Sequence, residues 1–209
     1  MNMQSKYLHF VAYKGLGRWD VQNYLWTSSI NSAYRLVKLN QLISPQKTII
    51  KKNDYTGSYS IVEKIAFKTG QIVFREENKT GMDLCLSHFN ELLVSSINFH
   101  QGAVAINTFG DIVASTHYKS YYIDASKVLP SYLVLVLRSP YFLSNISASR
   151  AKGIKNESGY NVIGEYQIPL PSLAEQQALV DAYNHNLQQA TELEQKVENG
   201  EKEIDTRIR

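Results

Sequence analysis

The chain has 209 residues, with 22 Lys+Arg against 19 Asp+Glu for a formal charge of +3, 44% hydrophobic and 20% charged residues; such a composition excludes a disordered or fibrous protein. Its longest purely apolar run, Tyr132-Leu-Val-Leu-Val-Leu137, is far short of the ~20 residues that cross a bilayer. The single cysteine, Cys85, excludes an internal disulfide and a cysteine-based zinc cage, and the polar stretch Asn2-Met3-Gln4-Ser5-Lys6 behind Met1 predicts no cleaved export signal, so a cytoplasmic protein is expected.

In chain order, residues 1–33 hold Gly15-Leu-Gly-Arg-Trp-Asp20 and read as a lead-in packed on the body through Trp19 and Trp26. Residues 34–171 form that body. Segments rich in Val, Ile or Tyr predict strands over 58–64, 71–75, 91–96, 103–107, 111–115 and 121–124, punctuated by Gly57, Gly70, Gly81, Gly102 and Gly110. Cys85, inside Leu84-Cys-Leu86, is expected to be a small buried hydrophobe. Two short helices follow over 130–137 and 140–147, the first with Pro130 in its first turn, the second capped by Ser139. Strands precede helices without βαβ alternation, which predicts a mixed, mainly antiparallel α+β body.

The tail, 172–209, opens with the capping box Ser172-Leu-Ala-Glu175, and Pro169 and Pro171 stop the strand before it. Val180, Tyr183, Leu187, Ala190, Leu193, Val197, Ile204 and Ile208 carry an apolar stripe along it at helical spacing. A helix of that length, about 55 Å, outruns the body. Its far end needs a partner helix, as in a coiled coil; Gly200 and the acidic cluster Glu198, Glu201 and Glu203 predict weaker last turns. Charge divides at the same boundary: residues 1–171 hold 18 Lys+Arg and 11 Asp+Glu, a net +7, whereas 172–209 hold 4 and 8, a net −4. A basic body suits a polyanion, because cationic side chains at phosphates release counterions.

Catalytic motifs are absent from the sequence. It has no Pro-Pro pair for an amino-methyltransferase motif, no glycine loop after a predicted strand to seat S-adenosylmethionine, and no Gly-x-x-x-x-Gly-Lys-Ser/Thr phosphate loop. Glu194-Gln-Lys196 has only half of a nuclease acid pair, and His9, His88, His100, His117 and His185 lack ligand spacing for a metal. A non-enzyme is expected.

The hinge Ile168-Pro-Leu-Pro-Ser-Leu-Ala-Glu-Gln-Gln177 closely resembles the junction signature of type I restriction-modification specificity (S) subunits, where a target recognition domain gives way to a long spacer helix. Leu93-Val-Ser-Ser-Ile-Asn-Phe-His-Gln-Gly-Ala103, the helical pair marked by Tyr132-Leu133, Arg138-Ser-Pro140 and Phe142, the basic glycine segment Ala151-Lys-Gly-Ile-Lys155 and the opening Tyr34-Arg-Leu-Val-Lys-Leu39 extend the likeness over most of the chain. Members usually carry two recognition domains and two such helices, so this chain resembles either a half-subunit or a domain cut from a longer protein. The resemblance implies a sequence reader of double-stranded DNA. It also implies separate modification (methyltransferase) subunits, which would hold S-adenosylmethionine, and a restriction subunit for cleavage; no cofactor is expected on this chain.

Within that reading, Asn98, His100 and Gln101 before Gly102, and Lys68 and Thr69 before Gly70, are the base-reading candidates. Asn and Gln pair bidentately with adenine, and Lys donates to guanine. Lys79, Lys119, Arg150, Lys152 and Lys155 are phosphate candidates, with Gly153 allowing close backbone approach. Tyr118, Tyr121 and Tyr122 are expected in sheet packing. Pairing of two copies through the stripe predicts a homodimer on an interrupted palindrome. The competing reading is an assembly or inhibitory module that pairs through its helix and reads no DNA.

Overall fold

The computed structural model describes residues 32–67, 69–149 and 160–208; the lead-in with Trp19 and Trp26 lies outside them. Among the described residues, three sheets form the body. A two-stranded ribbon joins β1 (Leu36–Lys38) to β11 (Gln167–Pro169). A four-stranded sheet runs in the order β2 (Ile43–Gln46), β10 (Tyr118–Ile123), β7 (Leu92–Ser95), β8 (Val104–Ile106). A five-stranded sheet has the order β3 (Ile49–Ile50), β6 (Leu84–Ser87), β9 (Ile112–Ser115), β4 (Ile61–Ile65), β5 (Ile72–Phe74). Pairing is antiparallel except between β4 and β9. Helices α1 (Pro130–Arg138), α2 (Pro140–Ser149) and α3 (Tyr160–Ile163) complete the body, and the 36-residue α4 (Leu173–Ile208) leaves it. The fold is α+β: mixed, mainly antiparallel sheets, short helices and one long terminal helix.

The sequence reading leaves out β2 and β6, among others. All four residues of β6 are buried, Cys85 among them, because sheet and neighbouring layers cover both faces. β2 contains Pro45 and lies at the edge of its sheet, where a missing N–H is tolerated. β10 starts at Tyr118 rather than 121 and pairs on both sides, with β2 and β7. Of its tyrosines, Tyr121 is buried and Tyr118 packs against the core between the sheets, but Tyr122 is half exposed and takes no part in that packing.

The helices follow their local codes. Pro130 occupies the first turn of α1, and the Ser139 hydroxyl accepts the N–H of Phe142 at 3.2 Å to cap α2. Leu133 and Leu137 turn into a core that also takes Leu92, Val94, Phe99, Ile168 and Val180. At the hinge, Ser172 N–H donates to Glu175 Oε2 at 2.9 Å and Glu175 N–H to Ser172 Oγ at 3.3 Å, the reciprocal pair of a capping box. Tyr132 adds a bond from its hydroxyl to the Pro169 carbonyl at 2.8 Å, and burial pushes that phenol up to about 12.

The apolar stripe begins later than its periodicity suggests. Val180 is 5% exposed and belongs to the core of the body, so it does not face a partner as its spacing predicts. Beyond it every described side chain is exposed, including Tyr183, Leu187, Ala190, Leu193, Val197, Ile204 and Ile208. The final turns remain helical through Gly200, supported by ion pairs from Lys202 to Glu198 and from Arg207 to Glu203, both at 2.6 Å and four residues apart. No helix among the described residues is long and apolar enough to cross a membrane.

Candidate nucleic-acid interface

The turn that carries Asn98, His100 and Gln101 is built around a buried ring. Phe99 is 1% exposed and packs edge-on against Phe142 at a centroid distance of 6.1 Å. With Phe99 directed inward, its neighbours stay at the surface: Gln101 is exposed and Asn98 and His100 are half-buried. The Asn98 carbonyl accepts Gln101 N–H at 2.9 Å, the Ser95 hydroxyl accepts Asn98 N–H at 3.2 Å, and Gly102 closes the turn at φ +84°. Those bonds use backbone groups of Asn98, which leaves its amide side chain available for a ligand.

Thr69 lies at the tip of the β4–β5 hairpin. Ala66 N–H donates to Gln71 O at 2.9 Å, Gly70 N–H to Ala66 O at 2.7 Å, and Thr69 Oγ1 accepts Gln71 N–H at 3.3 Å. Gly70 holds φ +70°, a conformation that L side chains resist. The two tips come from different sheets, yet they meet at one place. A Cβ placed on Gly102 would lie 3.3 Å from the Phe67 carbonyl of the β4–β5 loop.

Arg138, at the end of α1, borders both tips. A Cβ on Gly70 would fall 2.6 Å from its Nη1, and one on Gly102 would fall 4.0 Å from its Cγ. In the sequence it belongs to the helical-pair motif Arg138-Ser-Pro140 and sits as a cation at a helix C-terminus, but neither feature places it beside these turns. From Thr69 and Arg138 an open groove of about 470 Å³ runs past Asn90 and Thr108 toward Ser131 and to Asn184 on the long helix. Asn90 presents its backbone at φ 64°. Polar amides and hydroxyls with one guanidinium can exchange hydrogen bonds with base edges and phosphates alike.

The phosphate candidates separate. Lys79 forms an exposed ion pair with Glu77 at 3.2 Å, and Lys119 Nζ donates to the Thr116 carbonyl at 2.8 Å, so each is engaged within its own turn. Lys68, Arg150, Lys152, Gly153 and Lys155 lie outside the described residues. Near the groove, two neighbouring turns are cross-linked by Asn107: its amide donates to His88 O at 3.0 Å and Gly110 O at 2.6 Å, and its carbonyl accepts Phe109 N–H at 2.9 Å. An ion pair between His88 and Asp111 at 2.8 Å adds to this, and Asp111 raises the imidazole above its ordinary value, chiefly through the hydrogen bond. Among the described residues, no cluster of His, Cys, Asp and Glu has the makings of a metal site.

No family model matches the sequence, and no curated protein matches it. Solved structures do. A chain from a structure of the type I R-M system, concerned with its complex assembly and conformational transition, superposes with a TM-score of 0.65 at 16% identity, over 78% of this chain and 44% of that one. The two share one fold. The HsdS subunit from Thermoanaerobacter tengcongensis superposes with a TM-score of 0.49 at 14% identity, over 81% of this chain and 41% of that one. The present chain thus matches less than half the length of either. Against the type I R-M chain, the likeness shows a common architecture.

Proposed function

We propose that the chain is a DNA sequence reader of a type I restriction-modification system, a specificity half-subunit or one recognition unit of a longer subunit. The observation that carries this reading is the fold shared with a type I R-M chain. Lys68, Thr69, Asn98, His100 and Gln101 supply the base contacts, and the groove beside Arg138 extends the same face. Lys79, Lys119, Arg150, Lys152 and Lys155 contribute to the positive field that draws in the duplex, with Gly153 allowing close backbone approach. Modification subunits then carry S-adenosylmethionine and methylate adenine, and a restriction subunit cuts; this chain supplies the address and no catalytic group.

The long helix supplies spacing and assembly. Tyr183, Leu187, Leu193, Val197, Ile204 and Ile208 are exposed along it, and an apolar stripe in water is unfavourable until another helix covers it. Two copies joined through α4 present two recognition units to inverted half-sites, with the helix setting the gap. Shortening α4 by whole turns is expected to change the gap and leave the half-sites intact, as read by methylome sequencing. The same exposed stripe also serves the second reading, an assembly or inhibitory module that pairs with S-subunit helices and reads no DNA. Fluorescence anisotropy across a salt series, with and without the modification subunit, separates the two. A salt-sensitive, sequence-dependent complex supports the reader, and loss of all sequence preference supports the module.

A further inference from the structure

The loops that carry Thr69 and Asn98–Gln101 belong to different sheets. The β4–β5 hairpin ends one edge of the five-stranded sheet, whereas the Phe99 turn joins β7 to β8 of the four-stranded one. No single ladder of backbone bonds sets their relative position. Between the sheets, Ile65 and Ile72 pack with Ala103 and Ala105, and the Ser120 hydroxyl is bonded to Ser87 Oγ at 2.9 Å; these contacts lie within the sheets, whereas Arg138 stands at the two loop tips themselves.

We propose that Arg138 is a positioning residue that locks these two loops into one DNA-reading face. The proposal rests on the reading of both loops as base-contacting. Arg138 stands on a rigid element: α1 buries Leu133 and Leu137 completely, its entry is bonded from Leu129 N–H to Gln176 Oε1 at 2.8 Å, and Ser139 ends the helix directly after it. The flat guanidinium lies against Gly70, where an added Cβ would meet Nη1 at 2.6 Å, Cζ at 2.8 Å and Nε at 3.1 Å. The aliphatic stem of the same side chain borders Gly102, whose added Cβ would lie 4.0 Å from Cγ, 3.4 Å from Leu143 Cδ1 and 3.3 Å from Phe67 O.

The head of one side chain thus lies against one loop, and its stem stands close to the other. Both glycines adopt positive φ, so neither loop accepts a side chain at the contact without strain. Arginine is suited to this place because it combines a planar head with an apolar stem; lysine keeps the charge and loses the plane. Recognition by several side chains on separate loops requires that the loops hold their mutual geometry before DNA arrives, since ordering them on binding costs affinity and selectivity.

The test uses the full chain with its modification partner, and the variants Arg138→Lys, Arg138→Ala, Gly70→Ala and the double variant Gly70→Ala/Arg138→Ala. Three readouts are taken: hydrogen exchange of 66–71 and 98–103 in the free protein, the ratio of specific to non-specific DNA affinity, and the salt slope. Arg138→Ala is expected to speed exchange in both loops together and lower the affinity ratio about tenfold, comparable to one mismatched base pair. The salt slope should stay as in the wild type. Gly70→Ala should lower the ratio in the wild-type background and lower it less once Arg138 is trimmed, the remainder being the strain of a side chain at φ +70°. Arg138→Lys keeps the charge and a fold-compatible stem, and should give the same direction of change at an unchanged melting temperature.

An unchanged ratio with loosened loops overturns the proposal, as does loosening of only one loop. A uniform loss of affinity with the salt slope reduced by about one unit also overturns it, because that is the mark of a direct phosphate contact. Wild-type protein without any sequence preference defeats the reading of the loops themselves and removes the positioning role with it. That outcome is visible before any variant is compared.

Discussion

Gln176 accepts the backbone N–H of Leu129 at 2.8 Å across 47 residues of chain. Its amide nitrogen donates to the Lys127 carbonyl at 3.1 Å and the Pro171 carbonyl at 2.9 Å, and the side chain is fully buried. The first turn of the long helix is thereby bonded to the entry of α1. A buried polar latch, together with Val180, fixes the direction in which the spacer leaves the body.

Replacing that latch is the most damaging single change expected at the hinge. Gln176→Ala leaves one buried N–H and two carbonyls without partners, and is expected to destabilise the body by about 2–4 kcal/mol. Urea denaturation measures it. A loss under 0.5 kcal/mol, on the order of a neutral surface change, would show that water replaces the amide and that the latch carries no weight.

Ser172→Ala removes the cap of α4 and should cost about 1 kcal/mol. Its partner gives a pH signature. The Ser172 hydroxyl, followed by the backbone N–H, holds the Glu175 carboxyl below its ordinary value. A carboxyl lowered by folding adds stability above its unfolded value and loses it as pH falls through the folded one. Glu175→Gln should flatten that part of the acid-stability curve, as followed by circular dichroism between neutral and strongly acid pH.

His88 provides the opposite sign. Asp111, by hydrogen bond and then by charge, raises the imidazole above its ordinary 6.5, while partial burial opposes the shift. A histidine raised by folding contributes stability that is complete below its unfolded value and is lost as pH rises through the folded one. In an NMR titration, Asp111→Asn should lower the His88 midpoint. A midpoint that stays where it is would remove Asp111 as the cause.

Leu187 and Val197 test the exposed stripe, and Val180 is the control. Leu187→Glu with Val197→Glu should shift the protein toward monomer in sedimentation while its melting temperature holds, since both side chains are more than half exposed. Val180→Ala should do the reverse: about 2 kcal/mol less stable, with association intact, because this side chain is buried in its own body. Unchanged sedimentation of the double variant would exclude the stripe as the contact.

The contrast between Val180 and Leu187 shows where a sequence stops being informative. Both fit one helical period, and periodicity identifies an apolar face without naming what covers it. Likewise β6 and β7 are both buried on two sides yet only β7 was legible beforehand, and Tyr122 shares a strand with Tyr121 but not its burial. The candidate site divides in the same way. Asn98, Gln101 and Thr69 are visible beforehand because glycine and polar residues mark turns, but the motif Arg138-Ser-Pro140 does not announce that Arg138 stands between them.

Local chemistry was determined by the sequence alone: the capping box at Ser172 and Glu175, the proline that opens α1, the serine that caps α2, and the long amphipathic tail are each specified by residues within a few positions of one another. Only the tertiary structure decided that two loops from separate sheets converge on Arg138, that Gln176 bonds to Leu129, and that Val180 faces inward. Those relationships depend on how strands distant in sequence pair and how sheets stack, and packing of that kind sums many weak non-local contacts that leave no short-range pattern in the chain.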